Sequence, residues 1–342
     1  MTFTVSVRNR ESYLESIDVL NPKTVSAIKT TLSRFDRYCK SKYKESEHEI
    51  LSQLMKQSQD ERIVNACDVL QLFVSDLNKS ISPATIPAYL SHVLGYFNYR
   101  GVKLTSLDKK SIRFPKIIRE EKYPLSKDDI KLILDNCSYK RKTLYLVLAS
   151  SGMRIGETVQ LRKKDFDTSG NRIIIKIPAK FTKGKKARRT LVSLEAKPYL
   201  MKRLNEIEEN DIVFGTGSTS IVTEAKMLNY ATKKAFPKME RYDSGHRKIT
   251  LHSFRAFFIT QAVRTVGESF AHTLAGQEGY LKVYKRYDNE AILEDYLKLE
   301  PSLFIINDYG LSEQTKDKEI DSLKSEMKDL KILVTGLIEK IK

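Results

Sequence analysis

The sequence predicts a mainly α chain with one small β-sheet, an α+β protein of two domains followed by a helical tail. Three observations carry this. Apolar residues recur at helical spacing through residues 20–100 and again through much of the second half. A single β-branched stretch, NRIIIKIPAKFTKGKKARRTLVSL, breaks that pattern. The length, 342 residues, suits two cores of ordinary size.

In the first domain, residues 1–101, a helix starts at Asn21-Pro22, and Ile28, Leu32, Phe35 and Cys39 mark its buried face. ACDVLQLFVSDLNKS places Val69, Leu72, Phe73 and Leu77 on one face. SPATIPAYLSHVLGYFNYRG opens at Ser82-Pro83, carries Ile86, Leu90, Val93, Leu94 and Phe97, and stops at Gly101. Residues 102–124 have weak periodicity, two prolines and seven Lys/Arg against three acids. They read as an extended basic linker, in which Lys109 and Lys110 either lie along phosphates or belong to a solvated tether. The second domain, residues 125–306, begins with Leu125-Ser126-Lys127-Asp128-Asp129, a helix start with acids in its first turn. KRKTLYLVLASS is a helix ending at Gly152. The β-branched runs flanking Lys183-Gly184-Lys185 predict a hairpin or three-stranded sheet, and residues 172–189 hold eight basic residues and no acid. HSFRAFFITQAVRTVG and residues 278–300 are helical again. In the tail, residues 307–342, Ile320, Leu323, Met327, Leu330, Val334, Leu337 and Ile341 form three heptads of a coiled-coil-like seam. That helix either self-associates or docks on its own chain.

Composition narrows the function classes. Hydrophobic residues make up 41% and charged residues 30%, which excludes disordered and fibrous classes. No apolar run is long enough to span a membrane, and MTFTVSVRNRESYLES has no signal-peptide core. Cys39, Cys67 and Cys137 are too scattered for a disulfide framework or a metal site, so the expectation is a cytoplasmic, metal-free protein. The net charge of +17 points to a polyanion, most simply nucleic acid.

The chemistry-bearing residues come in a telling order. Arg154 follows a helix end and Gly152, with Glu157 one turn on. Lys183 sits at the hairpin tip, with Lys180, Lys185, Lys186 and Arg188 near it. His252 and Arg255 lie one turn apart at a helix start, and Gly276-Gln277 precede Tyr280, Tyr284 and Tyr287. Taken singly, an arginine here could be a salt-bridged residue, His252 a cap and Glu157 a surface carboxylate. Taken in order, Ser151-Gly152-Met153-Arg154-Ile155-Gly156-Glu157, Thr182-Lys183-Gly184, His252-Ser253-Phe254-Arg255, Ala275-Gly276-Gln277 and a later tyrosine resemble the tyrosine recombinase (phage integrase) family over about residues 20–306. The first domain is similar to that family's helical core-binding (SAM-like) DNA-binding domain. GYLKVYKRYDNEAILEDYLKLEPSL is closest in character to archaeal mobile-element integrases.

The resemblance implies a site-specific recombinase that cuts and rejoins DNA through a 3′-phosphotyrosyl intermediate, with no metal, ATP or other cofactor. Arg154 and Arg255 would clamp the non-bridging oxygens of the scissile phosphate, where the transition state gathers charge. Lys183 would protonate the leaving 5′-oxygen, and His252 would bind the phosphate or shuttle the tyrosine proton. Glu157 would orient the arginine-bearing loop or His252. Lys185, Lys186, Arg188, Lys109 and Lys110 would contact DNA. The nucleophile is expected at Tyr284, with Tyr287 as the alternative and Tyr280 behind both. Gln277 stands where the family has His or Trp, and it can donate a hydrogen bond but cannot carry a proton. The implied partners are double-stranded DNA and three further copies, a homo-tetramer on paired sites, with monomers or dimers off DNA and nucleoid association when bound. Two other readings stay open: a topoisomerase-like strand-passing enzyme, and a recombinase-derived DNA-binding protein with a weakened site.

Overall fold

A computed structural model of the chain describes residues 8–215, 220–277 and 289–306. The chain divides into two compact units, Met1–Glu120 and Glu121–Lys342. The tail seam from Ile320 to Ile341 lies outside the described residues.

The first unit is built from α1 (Arg10–Ser16), α2 (Pro22–Tyr43), α3 (Glu47–Lys56), α4 (Gln59–Leu77), α5 (Ile86–Arg100) and the single turn α6 (Ser106–Lys109). Its starts are set by side chains that accept first-turn backbone N–H groups: Asn9, Asn21, Ser46, Ser58 and Thr105. Pro22 occupies the first turn of α2, where its missing N–H costs nothing. Gly101 ends α5 in the left-handed region at φ 96°. The core gathers Leu32, Phe35, Cys39, Leu70, Phe73 and Phe97.

Three expectations shift here. The buried face of α4 is Ala66, Cys67, Leu70, Phe73, Val74 and Leu77, and Leu72 is 43% exposed. The run LQLFV offers two overlapping apolar stripes, and packing against α2 and α5 selects the one through Leu70. The helix expected to open at Ser82 begins at Ile86. Val102 and Ile112 are buried in this core, so the first half of the basic segment folds with the unit instead of tethering it.

The second unit comprises α7 (Lys127–Asp135), α8 (Tyr139–Ser151), α9 (Ile155–Thr158), β1 (Phe166–Asp167), β2 (Ile173–Ile177), β3 (Arg188–Val192), α10 (Lys197–Asn205), α11 (Ser220–Ala235), α12 (Leu251–Thr265), α13 (Glu268–Ala275) and α14 (Asn289–Leu303). The strands form one antiparallel sheet in the order β1-β2-β3, with Ile177 opposite Arg188 and Ile173 opposite Val192. Strands β2 and β3 form the hairpin the sequence predicts, and the third strand, β1, comes from Phe166–Asp167 just before the predicted stretch; Ile173, Ile175 and Ile177 turn to the core while Lys176 faces out. Ser126 and Asp129 form a reciprocal cap at the start of α7. Helices α8 and α12 pack at the centre, where the Tyr145 and Phe254 rings stack with centroids 5.1 Å apart. Helices α10, α11 and α13 complete the shell around that core. Among the described residues no helix is long and apolar enough to cross a membrane.

Polar clasps fasten α14. Arg172 holds Glu300 through two hydrogen bonds of 2.8 and 2.6 Å, and the Leu194 amide donates to the same carboxylate at 2.8 Å. Glu195, itself buried, accepts the Ile305 and Ile306 amides at 2.8 and 2.6 Å just past the helix end. Removing one partner of such a pair strands the other charge away from water. Arg172→Met should therefore destabilise the chain by about 3–5 kcal/mol, read from the denaturant midpoint. A midpoint equal to that of the parent chain would contradict this account of the clasp.

Candidate active site

Two helix ends converge in the second unit, and the site is made from what satisfies them. The last carbonyls of a helix have no partner inside it. Helix α8 ends at Gly152, in the left-handed region at φ 63°; a Cβ there would lie 2.2 Å from the Phe258 ring, which only glycine avoids. Its final carbonyls are taken from three directions. Tyr296 of α14 donates its hydroxyl to Ser150 O at 2.8 Å. Thr190 of β3 donates to Ser151 O at 2.7 Å. Arg255 of α12 donates NH1 to Gly152 O at 2.5 Å.

Helix α13 ends at Gly276, again left-handed at φ 64°. Three arginines cap its three last carbonyls in succession. Arg188 donates Nε to Leu274 O at 3.0 Å, Arg255 NH1 to Ala275 O at 2.6 Å, and Arg154 NH2 to Gly276 O at 3.3 Å. Cations at a helix C-terminus also complement its dipole. Arg255 thus joins both helix ends through one nitrogen.

Glu157 balances part of this charge. It is 2% exposed. Its Oε1 accepts Arg154 NH1 at 3.1 Å, and its Oε2 accepts both the Arg154 backbone amide at 3.1 Å and Arg188 NH2 at 2.6 Å. Burial alone would raise its pKa, but the hydrogen bond and charge of Arg188, then the bonds from Arg154, outweigh that and hold the carboxyl below its ordinary value. Arg255 is 1% exposed. Burial first, and then the charges of Arg154 and Arg188, bring its guanidinium down to about 10, with Glu157 opposing, so it stays a cation at neutral pH. Its Nε and NH2 are buried and find no partner among the described residues. Two unmet donors beside a second arginine make a place for an anion.

His252, the second residue of α12, stands one turn before Arg255 with its side chain exposed. Loss of water around the ring, then the charges of Arg255 and Arg154, hold its pKa below the ordinary value of 6.5. Gln277 is exposed, and its backbone amide donates to His272 O at 2.9 Å. Lys183 is exposed in the turn between β2 and β3, and among the described residues no hydrogen bond joins it to the arginine cluster. Thr182 shapes that turn: its hydroxyl bonds Ala179 O, Lys186 O and the Lys186 amide, each at 3.0 Å. Lys185, Lys186, Lys109 and Lys110 are exposed as well.

Arg188 is set apart from the exposed lysines of the turn. Expected among the DNA contacts, its side chain is 11% exposed and its guanidinium is held by Glu157 and Leu274 O. Nothing in the run KKARR distinguishes it from its exposed neighbours, since Glu157 lies 31 residues away in sequence. Tyr296 and Thr190 were equally silent. Tyr280, Tyr284 and Tyr287 lie outside the described residues.

A groove of about 1490 Å³ opens beside His252, with Lys122, Arg241, Arg247, Lys248 and Arg264 along it. Tyr242 braces one wall: its hydroxyl accepts the Tyr123 amide at 2.5 Å, and Lys122 and Lys248 lie over its ring at 5.2 and 5.9 Å. A groove with these cations suits a polyanion backbone.

The chain is similar to known proteins over most of its length. Residues 124–276 match the phage integrase family. A probable integrase/recombinase of Aquifex aeolicus (strain VF5) is 24% identical over 291 residues, spanning 72% of this chain and 91% of that protein. The fold is similar to that of a lambda integrase(75-356) dimer bound to a COC' core site, at TM-score 0.57 and 13% identity over 82% of this chain and 96% of that one. It is also similar to a lambda integrase tetramer bound to a Holliday junction, at TM-score 0.50 and 14% identity over 81% and 88%.

The environment of His252 yields a pH prediction. Its imidazole should titrate below 6.5, and Arg154→Ala should move it up by removing a repelling charge. Because the folded chain takes up this proton less readily than the unfolded one, stability should fall as pH drops below about 6.5 toward the depressed value. Ring-proton NMR checks this; a titration at or above 6.5 would contradict the geometry.

Proposed function

We infer that this chain, whose residues 124–276 carry a phage integrase family domain, is a site-specific tyrosine recombinase, an enzyme that breaks and rejoins DNA. The observation that carries the mechanism is the meeting of Arg154 and Arg255, the latter with two buried donors unmet, at the ends of α8 and α13 beside His252. A phosphodiester seated there would receive the fork of each arginine on its non-bridging oxygens, where negative charge builds as the fifth bond to phosphorus forms. The guanidiniums are already held by backbone carbonyls and Glu157, so little reorganisation is needed at the moment of reaction.

The phenolic oxygen of Tyr284 attacks phosphorus, and the bond from phosphorus to the 5′-oxygen breaks. His252, neutral at pH 7 because its pKa is depressed, accepts the phenolic proton. Lys183, on its exposed turn, supplies the proton to the departing 5′-oxygen. Gln277 donates a hydrogen bond to the phosphate. The 3′-phosphotyrosyl bond keeps the energy of the broken one, and an incoming 5′-hydroxyl reverses the step. No metal or nucleotide is required by this scheme. Lys185, Lys186, Lys109 and Lys110 would hold duplex phosphates, and the groove beside His252 would carry the backbone onward. Four copies on paired sites would complete an exchange of strands, and DNA-bound protein would follow the nucleoid. Kinship with archaeal mobile elements rests on the residue 279–303 segment, whereas the Aquifex aeolicus relative is bacterial.

Covalent trapping on a nicked duplex tests the reading. Parent chain should form a protein–DNA adduct, Tyr284→Phe should not, and Tyr287→Phe should; the reverse pattern would move the nucleophile to Tyr287. Arg154→Ala and Arg255→Ala should each slow adduct formation by roughly 100- to 1000-fold. No adduct from the parent chain would favour a DNA-binding protein without strand cleavage. Relaxation of supercoiled DNA carrying no paired sites would favour strand passage. Binding should also weaken with salt, with a log–log slope of about −0.9 per phosphate contact; a flat dependence would remove the proposed phosphate contacts.

A further inference from the structure

We propose that Arg188 is a positioning residue that sets the geometry of Arg154 and of the Gly276-Gln277 segment, and that it does not bind DNA. The proposal rests on the recombinase reading above. Arg188 opens β3, paired with Ile177, five residues beyond Lys183. It is thus the first residue of that strand, and its side chain turns into the unit instead of continuing the exposed basic turn.

Its two contacts each lie one step from the candidate phosphate site. Through NH2, 2.6 Å from Glu157 Oε2, it fixes the carboxylate that holds the Arg154 backbone amide and guanidinium. Through Nε, 3.0 Å from Leu274 O, it fixes the end of α13, whose Gly276 carbonyl is the other acceptor of Arg154. Gly276 records how close this packing is: a Cβ there would lie 2.8 Å from Arg188 Nε, 2.9 Å from Cδ and 3.0 Å from Cζ. Arg188 therefore underlies both anchor points of the Arg154 fork.

There is an electrostatic side as well. One buried carboxylate faces the guanidiniums of Arg154 and Arg188. With Arg188 present the Glu157 charge is shared, and Arg154 keeps positive charge to offer a phosphate. Without it, Arg154 becomes the only guanidinium hydrogen-bonded to Glu157, and more of its attraction for a developing anion is spent within the protein. Lysine, a point charge with no planar fork, could meet Glu157 or Leu274 O but not both in this geometry.

Full-length Arg188→Lys, Arg188→Met and Gly276→Ala chains test this on a pre-nicked duplex. Two quantities are measured: the dissociation constant across a salt series, and the single-turnover rate of covalent adduct formation at saturating DNA. Thermal unfolding of each variant is followed in parallel. The expected result is a dissociation constant within about twofold of the parent and an unchanged salt slope. The saturated rate should be at least tenfold lower for Arg188→Lys and Gly276→Ala, and lower still for Arg188→Met. Loss of stability alone would not produce that split between binding and rate. Should Arg188→Met fail to fold, the other two variants decide. Weaker binding with a shallower salt slope at an unchanged saturated rate would overturn the proposal and return Arg188 to the phosphate contacts. Unchanged binding and rate in all folded variants would overturn it too. A parent chain that forms no adduct would instead overturn the recombinase reading, and this role with it.

Discussion

One nitrogen, NH1 of Arg255, donates to the carbonyls of Gly152 and Ala275 at 2.5 and 2.6 Å, and the second unit is arranged around it. The two carbonyls belong to different helix ends, each aiming partial negative charge inward. Without a buried cation between them, both ends would be unsatisfied and mutually repulsive. The glycines follow from this constraint, because both chains must turn sharply beneath a ring or a guanidinium. So does Glu157, since three guanidiniums gathered at one point need a counter-charge that is itself shielded. Desolvation of Arg255 is tolerated because one side of its guanidinium is fully occupied; the other side is where an anion would complete the set.

The positive charge of this protein is therefore of two kinds. Lys109, Lys110, Lys183, Lys185 and Lys186 stand in solvent, where interaction with a polyanion is long-ranged and screened by salt. Arg154, Arg188 and Arg255 are fastened to carbonyls and to a carboxylate, where the field is local and directional. Sequence composition counts both alike in the total of +17.

Much of the fold could be read from the chain because its signals are local. Asn21-Pro22, Gly101, Ser126 and Gly152 each act within one turn of themselves, and the three inward isoleucines of β2 alternate as a half-buried strand must. On α4 the expected stripe holds at Phe73 and Leu77 and fails at Leu72, because Leu70, Leu72, Phe73 and Val74 are all apolar and only packing partners distinguish them. The site was legible as an order of residue types, with Arg154, Glu157, His252 and Arg255 standing out through their neighbours. Its supports were not. Tyr296 meets Ser150 across 146 residues and Arg188 meets Leu274 across 86, and nothing local marks either end of such a contact. A basic run predicts a charged surface, and it takes a buried carboxylate on a distant turn to draw one of its arginines inward.

The hydrogen bond from Tyr296 to Ser150 O has a mechanical consequence. It secures α14 to the end of α8, while the Arg154 and Arg255 bonds secure the end of α13 to the same place. Helices α8, α13 and α14 are thus coupled at one knot of backbone carbonyls. Elements fastened to a common knot shift together, so a displacement of one is felt by the other two. Removing the Tyr296 hydroxyl would free α14 from the end of α8 while Arg154, Arg188, Arg255 and Glu157 kept their own contacts.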